Sequence, residues 1–139
     1  MKYTASMYSV DGKLDVLMTK GDKQNKVEIA PQQKGFGSSI SGGEILFLAI
    51  ATCYCNDLYR EGLKLGIEVD NVEVDVDGDF MAAGEPALNV QCKIKVSAHA
   101  DEAQIHALVT HTDSIAEIPM SLRNGTAITL THVEAIESK

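Results

Sequence analysis

The sequence predicts an α+β fold in which the other elements wrap around one long central helix. The first observation is a run of eleven residues without charge, from Ile45 to Cys55, which predicts a helix that is apolar all round. The second is that strand patterns occur on both sides of this helix along the chain. Because such a helix must be buried on every side, we expect the other elements and a second copy of the chain to cover it.

Two tight turns predict a three-stranded meander at the beginning of the chain. Asp11-Gly12 and Gly21-Asp22 are dipeptides typical of hairpin turns. They separate strands that we expect at residues 2–9, 13–19 and 26–30.

The central helix is expected from Gly42 to Leu65. Ser41 and Glu44 fit a capping box at its beginning, and Gly66 fits a glycine cap at its end. The apolar run is shorter than the about 20 residues that a membrane span requires, so we expect no membrane partner.

Two strands with one dry face are predicted after the helix, at residues 72–77 and 88–98. Valines alternate with acidic residues in the first, and apolar residues alternate with Gln91, Lys93, Lys95 and Ser97 in the second. Antiparallel pairing would place the acids of one strand opposite the lysines of the other. Cys92 lies on the apolar side of its strand, so we expect it in the core.

The last part of the chain predicts two helices and a strand. Asp101 and Gln104 fit a capping box, a short helix is expected within residues 114–124 with a restart at Pro119, and a closing strand is expected at 126–132. The apolar stripe of the first of these helices consists of Ile105, Leu108, Val109 and Thr112.

Composition limits the class of protein. The 139 residues, 45% of them hydrophobic, fit one domain over residues 1–139 with its own core. A formal net charge of −8 disfavours nucleic acid as a partner, because phosphate binding needs clustered Lys and Arg. An odd number of cysteines and no visible signal peptide indicate a reducing, cytoplasmic compartment.

The spacing of the metal-ligating residues disfavours a metal site. His106 and His111 are five residues apart and do not share a helical face, while His99 and His132 lie elsewhere in the sequence. The two cysteines of the central helix lack a zinc-ribbon spacing. We therefore expect no metal and no cofactor.

Several short motifs are specific as a set, through their order and spacing. They are the loop and helix of residues 37–53, the Glu-Gly-Leu-Lys-Leu-Gly segment at 61–66, the Ile-Pro-Met-Ser segment at 118–121, and the end of the closing segment at His132. This set resembles the OsmC/Ohr family of stress-related thiol peroxidases. The resemblance implies an intertwined homodimer with two central helices side by side, wrapped by sheets of both subunits.

The resemblance also implies a site. In family members that reduce organic hydroperoxides, a cysteine of the central helix attacks the peroxide, and Cys53 stands at its position. A second cysteine resolves the sulfenic acid, but here that position is Ile118. The family's activating arginine has no counterpart in the N-terminal strands, and the position of its glutamate is Gly43. The chain thus resembles a divergent subgroup that lacks the resolving cysteine.

Other residues of the helix are candidates for supporting Cys53. Asp57 and Arg60 share its face, and a thiol needs a nearby positive charge or donor network to react as thiolate. Glu44 is about 180° around the helix, so capping is its expected role. Cys55 points to nearly the opposite face from Cys53, and we expect it to pack rather than to form a disulfide.

Two functions remain open at this point. The first is reduction of a small-molecule peroxide through Cys53 in defence against peroxide stress, with an external thiol as reductant. The second is a non-catalytic member of the fold that binds a small hydrophobic ligand at the dimer interface.

Overall fold

A computed structural model describes residues 1–138 and confirms the α+β class, with two antiparallel sheets and three helices in that range. The chain forms two compact units, Met1–Phe47 and a second that begins at Leu48. The central helix α1, Gly42–Lys64, begins in the first unit and continues in the second. Among residues 1–138, no helix combines the length and apolar character that a membrane span requires. A single domain over 1–139 stays a prediction.

The first unit is a three-stranded meander. Its strands are β1, Tyr3–Val10, β2, Lys13–Lys20, and β3, Lys23–Lys26, in that order in the sheet. Asp11 and Gly12 have φ values of 52° and 74°, as a type I′ turn requires. The third strand was expected at 26–30, which is wrong. Because only two residues follow β2 before the chain returns, pairing resumes at once, with Lys23 opposite Lys20.

Both predicted ends of α1 are confirmed. Ser41 Oγ accepts from the backbone N–H of Glu44 at 3.1 Å, and the backbone N–H of Ser41 donates to the Glu44 carboxylate at 3.2 Å. At the other end, Gly66 has a φ of 70°, and the N–H of Ile67 donates to the carbonyl of Gly62 at 2.8 Å. These contacts form a Schellman motif, which satisfies carbonyls of the last turn.

The second unit contains an antiparallel pair of strands with the predicted alternation of charge. The strands are β4, Val69–Asp79, and β5, Leu88–Ala98. Glu73 lies opposite Lys95, and Asp75 lies opposite Lys93. The acidic face of β4 is therefore matched by lysines, as expected.

Two helices follow the sheet. They are α2, Glu102–Ile115, and α3, Glu117–Arg123. The capping box of Asp101 and Gln104 is confirmed. Helix α3 begins at Glu117, two residues before Pro119, whereas the sequence predicted a restart at Pro119 itself. Pro119 is tolerated there because N–H groups of the first turn have no partner within the helix.

The core of the second unit lies between α1, α2 and the sheet. Leu58, Ile67 and Leu108 form its buried centre. The packed residues of β5 are Ile94, Val96 and Ala98, all in the second half of the strand. Cys92 precedes them and is exposed, so its expected core position is wrong.

One chain by itself covers only part of the surface of α1. Its buried residues are Ile50, Tyr54, Asp57, Leu58, Glu61 and Gly62. Leu48 and Leu63, by contrast, are 64% and 82% exposed. Cover from a second copy therefore stays a prediction.

The closing strand expected at residues 126–132 is not formed. In the described chain, residues 126–138 have no regular secondary structure, and Ile128 is 97% exposed. β-Branched residues supply strand propensity, but a strand forms only when its backbone groups pair with a neighbouring edge. No such pairing is found for this segment in residues 1–138.

Candidate functional site

Cys53 lies half-buried on α1 with two carboxylates against its thiol. Its Sγ is 3.6 Å from Oδ2 of Asp57, one helical turn further along, and 3.8 Å from Oε2 of Glu117, the first residue of α3. Asp57 is buried, whereas Glu117 is exposed to solvent. We call Cys53, Asp57 and Glu117 the Cys53 cluster. The cluster joins two helices that are distant in the sequence.

Arg60 supports the cluster through Asp57 rather than through the thiol. Its Nη1 lies 3.0 Å from Oδ1 of Asp57, and its Nε lies 3.0 Å from Oε2 of Glu61. One oxygen of Asp57 is therefore held by Arg60, and the other faces Cys53. The structure thus brings together three residues that the helical spacing selected, Cys53, Asp57 and Arg60.

The charges of the cluster favour the protonated thiol. Burial raises the pKa of the Cys53 thiol above its ordinary value of 9.0, and the negative charges of Asp57 and Glu117 add to the rise. A backbone hydrogen bond from Ile118 opposes it. Burial, together with the charge of Glu117, also raises the pKa of Asp57. Asp57 is therefore the carboxylate of the cluster that is better suited to accept a proton.

Glu61 fixes the other side of Arg60. Its buried carboxylate accepts from Arg60, from Lys64 Nζ at 2.9 Å and from His111 Nε2 at 2.9 Å. The bonds from Lys64, His111 and Arg60 lower the pKa of Glu61 to about 2. This carboxylate is therefore ionised across the ordinary pH range, and it links α1 to α2.

Tyr54 links α1 to the two later helices. Its hydroxyl donates to Oδ1 of Asp113 at 2.6 Å, and Arg123 Nη2 donates to the same oxygen at 2.9 Å. Burial, followed by the bond to Asp113, raises the pKa of Tyr54 to about 12. Because Arg123 ends α3, this contact helps to hold the helix that carries Glu117.

The other two candidates lie outside the cluster. The Glu44 carboxylate is hydrogen-bonded to Ser41 in the helix cap. Cys55 lines an open groove of about 270 Å³ on the α1 surface beside β4. The groove residues are Leu48, Ala51, Thr52, Cys55, Asn56 and Val74.

Sequence reasoning did not single out Glu117 or Glu61. A signal for Glu117 was present, because it directly precedes Ile118, the position at which the resemblance places the resolving cysteine. An acid next to that position is expected near Cys53. Glu61 was noted only as the first residue of the segment at 61–66, and nothing indicated its ion pairs, because its partner His111 lies fifty residues away in the sequence.

Fold and site together define an α+β protein with a half-buried cysteine on a long helix, flanked by carboxylates. Comparison with known proteins agrees with this class: the chain belongs to the family of OsmC-like proteins, which matches residues 35–131. Among solved structures it is similar to an OsmC like protein from Mycoplasma pneumoniae, with a TM-score of 0.65, 11% identity and 88% of each chain covered. At this identity the likeness shows the fold alone. A search of curated proteins found no match.

Proposed function

We propose that the chain reduces organic hydroperoxides through Cys53, and that an external thiol of the cytoplasm completes the cycle. One observation carries this proposal. The carboxylate of Asp57 lies 3.6 Å from the thiol, while Arg60 holds its other oxygen in place. A nucleophile, a proton acceptor and an orienting cation are thereby in contact.

The first step is attack on the peroxide. Asp57 Oδ2 accepts the thiol proton as Sγ of Cys53 bonds to the terminal oxygen of the hydroperoxide. The O–O bond breaks, and the leaving alkoxide takes the proton back from Asp57 to become the alcohol. The thiol is oxidised to a sulfenic acid, and the hydroperoxide is reduced to an alcohol.

The second step requires a reductant from outside the site. Ile118 occupies the position of the family's resolving cysteine, and Cys55 faces the groove instead of the cluster. A first external thiol condenses with the sulfenic acid to give a mixed disulfide and water, and a second releases the Cys53 thiol. The two external thiols leave as one disulfide, and their oxidation supplies the two electrons that return the Cys53 sulfenic acid to the thiol.

The raised pKa of Cys53, due first to burial and then to the two carboxylates, makes the reaction dependent on pH. Because the thiol pKa lies above its ordinary value, only a small fraction of Cys53 is thiolate at neutral pH. The attack rate should rise with pH until the thiol is fully ionised. Asp57 compensates at neutral pH by accepting the proton during the attack.

We also propose that two copies of the chain form a homodimer through α1. Apolar or small side chains recur on its uncovered side at spacings of three and four residues: Leu48, Thr52, Cys55, Tyr59 and Leu63. This spacing is typical of a helix that packs against another helix. A second copy of α1 would bury Leu48 and Leu63 and close the groove.

A second candidate function is favoured by the groove itself. Its volume of about 270 Å³ is just below the about 300–1,000 Å³ that is typical of ligand sites. Its wall is mainly apolar, so a small hydrophobic molecule would fit it. Under this alternative, Cys53 has no chemical role.

The test of the first proposal is turnover of cumene hydroperoxide with a small dithiol as reductant. Wild-type protein and Cys92→Ser should consume the hydroperoxide, and Cys53→Ser should not. Cys92 is the matched control, since it is an exposed cysteine of the same chain. Equal consumption by Cys53→Ser and wild type would refute the proposal.

The ligand alternative predicts a different result. Small apolar compounds should raise the melting temperature of wild type and of Cys53→Ser alike. Ala51→Phe, which fills the groove, should remove that increase. An increase that survives Ala51→Phe would exclude the groove as the binding site.

A further inference from the structure

The Cys53 cluster has the composition of a metal site as well as that of a nucleophile with its base. The Sγ of Cys53, a carboxylate oxygen of Asp57 and one of Glu117 all lie within 4.8 Å of one another. Cys53 and Asp57 are four residues apart on α1, so the helix itself places both ligands on one face. Glu117 completes the set from α3.

We infer that Cys53, Asp57 and Glu117 bind a divalent cation with affinity for sulfur, of the Zn²⁺ type. A tetrahedral zinc site with Zn–S of about 2.3 Å and Zn–O of about 2.0 Å has S···O edges of about 3.5 Å. The observed Sγ···O distances are 3.6 Å to Asp57 and 3.8 Å to Glu117. These two edges are within a few tenths of an ångström of the tetrahedral value, and the two carboxylate oxygens lie within 4.8 Å of each other.

Charge balance supports a divalent ion. With Cys53 as thiolate, the three ligands carry a formal charge of −3. A divalent cation and the guanidinium of Arg60, 3.0 Å from Asp57 Oδ1, bring the total to zero. Arg60 also orients the Asp57 ligand, because it binds one carboxylate oxygen and leaves the other free to bind the ion.

Ligand type selects the ion. A thiolate disfavours Mg²⁺ and Ca²⁺, which prefer oxygen ligands, whereas Zn²⁺ accepts both sulfur and carboxylate oxygen. Three protein ligands leave the fourth tetrahedral position for water. The exposure of Glu117 gives that position access to solvent.

Metal binding has a consequence that rests on the proposed function. The sulfur lone pair that would attack a hydroperoxide is used for coordination when the ion is bound. Zn²⁺-loaded protein should therefore resist oxidation of Cys53, and removal of the ion should restore it. The binding itself does not depend on peroxide reduction.

The described residues contain one other group of this kind, formed by Glu68, Asp70 and His99. All three are exposed and lack a sulfur ligand. His99 Nε2 lies 2.9 Å from Asp70 Oδ2. This surface group serves as an internal control for the cluster.

The experiment uses full-length protein stripped with a chelator and then titrated with Co²⁺ and Zn²⁺. Co²⁺ should produce the near-ultraviolet absorption of a sulfur-to-cobalt charge transfer, and Zn²⁺ should displace it. Cys53→Ser should lose this absorption, and Glu117→Gln, an exposed and isosteric change, should weaken Zn²⁺ binding at least tenfold. Cys92→Ser and His99→Gln should bind as wild type does.

Three outcomes would overturn the inference. The first is absence of the charge-transfer absorption in wild-type protein, and the second is its persistence in Cys53→Ser. The third is loss of Zn²⁺ binding in His99→Gln alone, which would assign the metal to the surface group. If the metal-free protein fails to react with hydroperoxide, while the same protein shows the charge-transfer absorption after Co²⁺ is added, the proposed function is refuted and the metal site remains.

Discussion

Replacing Asp57 by asparagine should make Cys53 more reactive toward an alkylating reagent. The carboxylate oxygen lies 3.6 Å from Sγ. Even with the screening of bulk water, a unit charge at that distance disfavours the thiolate by about 1.2 kcal/mol. Removing it should enlarge the thiolate fraction at neutral pH by about sevenfold, since about 1.4 kcal/mol corresponds to a factor of ten. Alkylation should accelerate by less than this factor, because a thiolate of lower pKa is also less nucleophilic.

Reaction with hydroperoxide should change in the opposite direction. Asparagine cannot accept the thiol proton or return it to the alkoxide, and loss of general acid–base catalysis typically costs about 100-fold or more. The sevenfold gain in thiolate offsets only part of this loss. Oxidation of Asp57→Asn by cumene hydroperoxide should therefore be at least about tenfold slower than in wild type.

Both rates can be followed by intact mass in a Cys55→Ser, Cys92→Ser background, in which Cys53 is the remaining thiol. Iodoacetamide reports alkylation, and cumene hydroperoxide reports oxidation. The matched control is Asp75→Asn, which removes an exposed acid opposite Lys93 and should alter neither rate. Alkylation that is unchanged or slower in Asp57→Asn would refute the electrostatic argument. Acceleration of both reactions would refute the role of Asp57 in proton transfer.

Three further predictions concern stability. Gly62→Ala should lower the free energy of unfolding by about 1 kcal/mol or more, because a Cβ there would lie 2.7 Å from Val69 Cγ2, whereas Gly42→Ala, with nothing within 4 Å, should be near neutral in the same urea titration. Leu108→Ala should cost about 2–5 kcal/mol by the same measurement, since Leu108 is fully buried in the core. Because the pKa of Glu61 is lowered from 4.5 to about 2, its stabilising effect is present above pH 4.5 and is lost as the pH falls to about 2. The melting temperatures of wild type and Glu61→Gln should therefore converge across that range, and a constant difference would contradict the ion-pair network.

Much of the fold could be predicted because its signals are local. Gly66 ends α1 with a positive φ, which glycine adopts without strain, and the capping box at Asp101 is set by residues three apart. The alternation of valine and acid from Val72 fixed which face of β4 is wet. Each of these features depends on neighbours within a few residues, so the sequence alone carries the information.

The features that could not be predicted depend on what the chain packs against. Cys92 has the right strand parity for burial, but α2 covers only the later half of β5. The segment at 126–132 has strand propensity without an edge to pair with in the described chain. A sequence pattern indicates which element a segment can form. Whether that element is buried or paired depends on the position of the helix or strand next to it.

The site divides in the same way. Asp57 and Arg60 were accessible because helical spacing places them on the face of Cys53. For Glu117 the sequence offered only its place beside Ile118, because its approach to the thiol depends on the packing of α3 against α1. The expectation of no metal rested only on the histidines and the two cysteines of the helix. It did not include Glu117, whose position near Cys53 depends on the fold.

The most direct test of the central claim, that Cys53 is the reactive group of this protein, is the mass of each chain after one equivalent of cumene hydroperoxide, added to metal-free protein without reductant. Wild type should gain one oxygen atom, located at Cys53 by peptide mapping, and Cys53→Ser should gain none. A wild-type protein that stays unmodified, although its Cys53 is alkylated under the same native conditions, would contradict the claim.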